Sequence, residues 1–127
     1  VQGDVRHHAG FTGCVGAARR VGDRAAFVPH QFGTWLGLVA NAHLAAAVGS
    51  PLLEYPVFEG DPAVDADEVA GMYPFELAFD VLEGEPDVED GVLRVPDGPG
   101  LGVEVDESVV ERYPFREGAW TRFERDE

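Results

Sequence analysis

Asp4, His30 and Glu54 are the side chains whose types and spacing could do chemistry together. His30 follows the apolar run 25–28 and Pro29, Glu54 follows the run 51–53, and Asp4 stands just ahead of a helical stretch. A histidine is suited to take up or return a proton near neutral pH. Ionisable groups at the exits of successive strands are where the loops of a (β/α) barrel carry catalysis.

The elements that must position these residues are legible around them. Residues 25–28 read as a short, fully apolar strand that Pro29 closes, because proline cannot donate to a continuing ladder. Thr34 is the N-cap candidate for a helix over 36–48. In that stretch Leu36, Val39, Ala40, His43, Leu44 and Ala47 recur at helical spacing. Gly49 suits the C-cap, Pro51 stops any continuation, and 51–55 reads as the next strand. Upstream, 1–6 is the end of a strand, Gly10 and Gly13 mark a turn, and Thr12 could cap a helix running to about Val21. Strands alternating with helices over short connections imply parallel strands.

The texture changes after Pro56. Residues 59–68 read as an acidic loop, with a short helix near 65–70, and 75–82 is apolar and ambiguous between helix and strand. Short β candidates at 91–95 and 102–105 flank a turn at 96–100, and Asp106 can cap a helix over 107–113. The tail from Trp120 is charged and peripheral in character. The expected division is a barrel part over 1–56 and a C-terminal segment over 57–127.

The chain has 127 residues, with 24 Asp plus Glu against 9 basic residues and a net charge of −15. All the basic residues are Arg, and Lys and Ile are absent. Such an acidic surface repels phosphate backbones, which argues against nucleic acid as a partner. A hydrophobic share of 45% argues against disorder. The lysine-free, acid-coated composition favours adaptation to high intracellular salt over an ordinary acidic protein from a GC-rich genome. No apolar run approaches the roughly 20 residues of a membrane helix, so no membrane partner is expected. No signal-peptide pattern is seen, and the lone Cys14 suits a cytoplasmic setting. A complete barrel needs about 250 residues, so a barrel reading implies part of one, and Val1 in place of Met fits a fragment or processed chain.

Several stretches, taken in order, resemble a known family. Gln2-Gly3-Asp4, residues 9–13, Val28-Pro29-His30, residues 37–47 and Leu53-Glu54 resemble the end of the barrel in the mandelate racemase subgroup of the enolase superfamily. Residues 95–102 resemble that family's closing segment. The resemblance implies an α/β fold: the C-terminal strands and helices of an enolase-type (β/α) barrel, then a segment returning to the capping domain. It implies that Asp4, His30 and Glu54 end strands six, seven and eight. Asp4 and His30 would form a dyad exchanging a proton with the carbon next to a carboxylate, and Glu54 would donate a hydrogen bond to the enediolate oxygen. Such enzymes use Mg²⁺ to stabilise the intermediate, with ligands expected upstream of this chain. The implied substrate is a sugar acid or other 2-hydroxy acid, and dehydration is favoured over racemisation. Association as a homo-oligomer or with the missing N-terminal part is expected. The alternative is a catalytically incomplete piece that serves only as a structural or assembly module. Gly3 and Ala9 depart from the family's usual Pro and Gly.

The chemistry explains the residue types. A proton α to a carboxylate is weakly acidic, so the developing dianion needs a metal and a hydrogen-bond donor. A Glu donor must stay protonated, which asks for a desolvated or acid-crowded pocket. His7, Phe32 and Trp35 are candidates to line the substrate site, although a solvated loop and core packing are the ordinary settings for such residues. His43 lies on the apolar stripe of its helix and reads as a packed histidine, Cys14 reads as helix packing, and 98–102 reads as a turn.

Overall fold

Two short parallel strands, held edge to edge by the residues that flank them, position everything that follows. The computed structural model describes residues 1–56 and 75–114. The chain enters as β1 (Gln2–Gly3), turns into helix α1 (Gly10–Val21), passes a 3-10 turn (Gly22–Arg24) and returns as β2 (Val28–Pro29). β1 and β2 pair in parallel, Gln2 opposite Val28 and Gly3 opposite Pro29. The Val28 N–H donates to the Val1 carbonyl and the His30 N–H to the Gly3 carbonyl, both at 2.9 Å.

Pro29 therefore lies within the strand instead of closing it, and the paired part sits later than the expected 25–28. Successive residues of a strand bond to opposite edges, so the missing N–H of Pro29 faces away from β1 and costs that ladder nothing. Its carbonyl accepts from the Glu54 N–H at 3.3 Å on the far edge. Residues 51–55 thus run beside β2, yet this one backbone bond does not make them the strand that the sequence led us to expect.

α1 begins at Gly10, earlier than a Thr12 cap would place it. Ala9 takes the N-cap position with φ +57° and makes no side-chain cap, and Gly10 follows at φ +66°. This left-handed pair turns the chain sharply from the strand exit into the helix.

The next helix, α2 (Trp35–Val48), is bounded as its sequence implies. Thr34 Oγ1 accepts from the Gly37 N–H at 3.2 Å, and Gly49, at φ +69°, closes the C-terminus. Its burial is wider than a single apolar stripe. Leu38, Val39, Asn41 and Leu44 are all within 1% of full burial, while Ala47 is exposed. The helix is wedged between two clusters: Leu44 meets Cys14 and Phe27 on one side, and Trp35, Leu38 and Val39 meet Val81 and Leu82 on the other. Each fully buried leucine contributes about 1.5–3 kcal/mol by leaving water.

Beyond the second cluster lie α3 (Phe75–Phe79), the antiparallel hairpin β3 (Val88–Glu89) and β4 (Val92–Leu93), and α4 (Glu107–Glu111). The hairpin turns at Asp90 and Gly91, both at positive φ, which suits the right-handed twist of its strands. The β candidate at 91–95 pairs back onto Val88–Glu89, whereas 102–105 contributes only a bridge from Val105 to Leu82. The ambiguous stretch 75–82 is helical to Phe79 and bridges at Leu82. Asp106 Oδ1 accepts from the Ser108 N–H at 2.9 Å, and the helix that it caps stops at Glu111, short of Tyr113. His43 Nε2 lies 3.0 Å from the Leu101 carbonyl, which can only accept, so this nitrogen donates and pins the 96–105 turn to α2. The acidic loop at 59–68, the short helix near 65–70 and the tail from Trp120 lie outside the described residues.

The architecture is a small mixed α/β unit. A parallel β–α–β step is present, but no barrel closes among the described residues, so the expected barrel is seen only as this step. No helix of the described residues is long and apolar enough to cross a membrane.

Candidate active site

The exits of β1 and β2 and the extended run after α2 bring Asp4, His30 and Glu54 together. Asp4 follows β1 and is 1% exposed. Its Oδ2 stands 3.1 Å from His30 Nδ1. His30 Nε2 in turn lies 3.9 Å from Glu54 Oε2. Both His30 and Glu54 are about two-fifths exposed, so the imidazole is backed by a buried carboxylate and open on its other side.

Five donors converge on the Asp4 carboxylate. The Arg6 backbone N–H and Nε reach Oδ1 at 2.9 and 3.0 Å, and Arg6 Nη2 reaches Oδ2. Asn41 Nδ2 reaches Oδ1 at 3.3 Å, and His30 Nδ1 completes the set. Burial alone would push the Asp4 carboxyl up. The hydrogen bonds from the Arg6 side chain and backbone, His30 and Asn41 outweigh it and hold Asp4 well below the usual carboxylate range. An ionised Asp4 can only accept, so His30 Nδ1 carries the proton and the lone pair of a neutral imidazole is on Nε2. The accessible nitrogen is the basic one.

Asn41 holds the two strand exits in register. It is fully buried, accepts from the Val5 N–H at 3.2 Å, and directs Nδ2 at the His30 carbonyl (3.0 Å) and Gln31 Oε1 (3.2 Å) as well as Asp4. Glu54 is placed by the Gln31 N–H, which donates to Oε2 at 2.9 Å, and by the Gln2 amide, which donates to Oε1. Neither Arg6 nor Asn41 stood out beforehand. The one available signal was Asn41 itself, an amide in the middle of a helix that is apolar apart from it and His43.

The remaining candidates separate by position. His7 is exposed on the turn after Asp4, and Phe32 is 43% exposed just past His30. Trp35 is only 9% exposed; its ring packs on Tyr55 at 5.3 Å and edge-on to Phe79 at 4.7 Å, inside the core cluster. His8 Nδ1 accepts from the Asp4 N–H at 3.1 Å and helps to shape the turn. Cys14 is buried; burial, and then the charge of Asp4, push its thiol up, which makes it a packing residue. Among the described residues no three His, Cys, Asp or Glu side chains are arranged to hold a metal ion. Both oxygens of Asp4 are already taken by donors of the protein. The described residues therefore do not fit a Mg²⁺ centre.

Comparison with known proteins matches the chain to a family. The family model described as enolase C-terminal domain-like matches residues 1–109. Arabinonate dehydratase of Saccharolobus solfataricus is 28% identical over 118 residues, covering 89% of this chain and 26% of that protein. o-Succinylbenzoate synthase of Geobacillus stearothermophilus is 33% identical over 106 residues, covering 82% of this chain and 26% of that protein. A D-galactonate dehydratase family member of Oceanicola granulosus is 36% identical over 85 residues, covering 66% of this chain and 17% of that protein. The chain thus spans about a quarter or less of the length of these curated relatives. No solved structure matches it. With residues 1–109 matched and sugar-acid dehydratases among its relatives, the chain belongs to the enolase C-terminal domain-like family.

Proposed function

We propose that this chain is the C-terminal part of a Mg²⁺-dependent enzyme that moves the proton α to a carboxylate, and that the enzyme is a sugar-acid dehydratase. The observation that carries the reading is the contact of buried Asp4 with His30 Nδ1, which leaves Nε2 as the accessible basic atom. Asp4 orients the ring and stabilises the imidazolium once Nε2 has taken the proton. Glu54, on the same open side as Nε2, would donate to the enediolate oxygen from its protonated form. His7 and Phe32 would face the sugar acid, with Trp35 supporting that wall from the core. The metal's ligands lie outside the described residues on this reading, and no step above runs through the ion. The relatives named as dehydratases support water loss from a sugar acid, with racemisation as the second outcome.

A second reading has its own support. β1 has a partner along one edge only among the described residues, and an open edge is a site for association. On that reading the chain is a structural or assembly module that is catalytically incomplete. The native particle separates the two. Its mass in concentrated salt, with the denatured mass of each chain in it, shows whether further chains carry metal ligands. A panel of sugar acids with Mg²⁺ then follows. Turnover that His30→Ala abolishes in a folded protein supports the dehydratase; turnover that the variant keeps would falsify the Asp4–His30 pair. A particle built from this chain alone and inert on every acid favours the assembly module.

A further inference from the structure

We propose that Arg6 is a positioning residue of the Asp4–His30 pair, taking a share of the Asp4 carboxylate so that His30 faces a part-neutralised acid. The inference rests on reading Asp4 and His30 as a proton-transfer pair. Arg6 comes two residues after Asp4 and closes a fork on it, Nε on Oδ1 and Nη2 on Oδ2, while its own backbone N–H adds to Oδ1. The single contact of His30 falls on Oδ2, the oxygen that Nη2 also holds. Arginine keeps its charge at every working pH, so this competition never switches off.

The fold makes room for the fork. A Cβ on Gly37 would stand 3.2 Å from Arg6 Cδ and 3.3 Å from Nε, so the bare backbone of the first turn of α2 lets the Arg6 side chain come close to it. The Arg6 side chain is 28% exposed against 1% for Asp4, so the guanidinium covers the acid from solvent.

The consequence falls on the imidazole. A buried carboxylate with His30 as its sole charged partner would favour the imidazolium strongly and block Nε2 with a proton. With Arg6 on the same acid, the imidazolium meets a weaker field and a neighbouring positive charge. The other groups that face His30 are Glu54 near Nε2, His8 on the backbone of Asp4, and the neutral Asn41 from α2.

An NMR titration of the His30 ring in the full chain tests this directly. Arg6→Gln is expected to raise the midpoint of His30 by about one pH unit, and Arg6→Lys, which keeps the charge without the fork, by less. A midpoint in Arg6→Gln that is unmoved or lowered overturns the inference, because an arginine that only anchored the turn to α2 would leave the titration alone. Should Arg6→Gln not fold, the unaltered chain still decides. The Arg6 Nε–H resonance must move with the midpoint of His30, and a resonance that ignores it overturns the inference as well. Turnover that survives His30→Ala overturns the proton-transfer reading instead, a result distinct from an unmoved midpoint.

Discussion

Asp4 Oδ2 and His30 Nδ1 lie 3.1 Å apart although 26 positions separate the two residues in sequence. The contact exists because β1 and β2 are parallel neighbours in a register that puts Gly3 opposite Pro29, so that the next residue of each strand leaves the sheet on the same side. One carboxylate, buried and ringed by donors, meets an imidazole that is open to the outside.

The depressed Asp4 carboxyl sets a pH dependence of stability. A carboxyl with a folded value below its unfolded value, about 3.9, stabilises the fold fully above that unfolded value. The contribution is lost as pH falls through the folded value. Urea midpoints should therefore drop steeply below about pH 4 in the unaltered chain. In Asp4→Asn the slope over that range should be visibly shallower. Equal slopes would mean that other carboxyls govern acid unfolding.

Asn41→Leu keeps the volume but leaves the Val5 N–H buried without its acceptor and takes a donor from Asp4 and from the His30 carbonyl. The cost should be about 2–4 kcal/mol, read from denaturant midpoints. A loss under about 1 kcal/mol would show that the strand exits are held by the sheet alone.

Gly37→Ala sets two effects against each other. Alanine in a helix is favoured over glycine by about 1 kcal/mol. The new methyl would press on Arg6 Cδ and on Gln31 Oε1, 3.2 and 3.4 Å from its position. Arg6 is partly exposed and need give by only a few tenths of an ångström, so the variant should gain up to about 1 kcal/mol while its Arg6 Nε–H resonance shifts. Destabilisation instead would mean that the guanidinium cannot move off Asp4.

Twenty-four acids against nine arginines, a net charge of −15, predict that salt stabilises the fold. Screening shortens to about 3 Å at 1 M salt, which relieves the repulsion between surface carboxylates. The melting temperature should rise by roughly 10 °C between dilute and concentrated KCl, about 2 kcal/mol for a domain of this size. A flat response would favour base composition over salt adaptation as the origin of the missing lysines.

The sequence by itself determined the parts whose causes are local. Thr34 and Gly49 bound α2 and Asp106 caps α4, because capping and positive φ depend on neighbours a few residues away. The order of Asp4, His30 and Glu54 along the chain was also legible, as was the family that the match over residues 1–109 now shows. Only the tertiary structure decided what depends on register and burial. It drew Pro29 into the strand with its missing donor turned outward, and it placed Trp35 in the core. It reduced 51–55 to a single backbone bond and spread the burial of α2 beyond one stripe, since the helix is covered from two sides. Asn41 entered the site in the same way, whereas Arg6 reaches Asp4 from two residues away through a local turn. Hydrogen bonds to a buried carboxylate are made by whichever donors the packing brings within 3 Å or so, and spacing along a chain does not encode that.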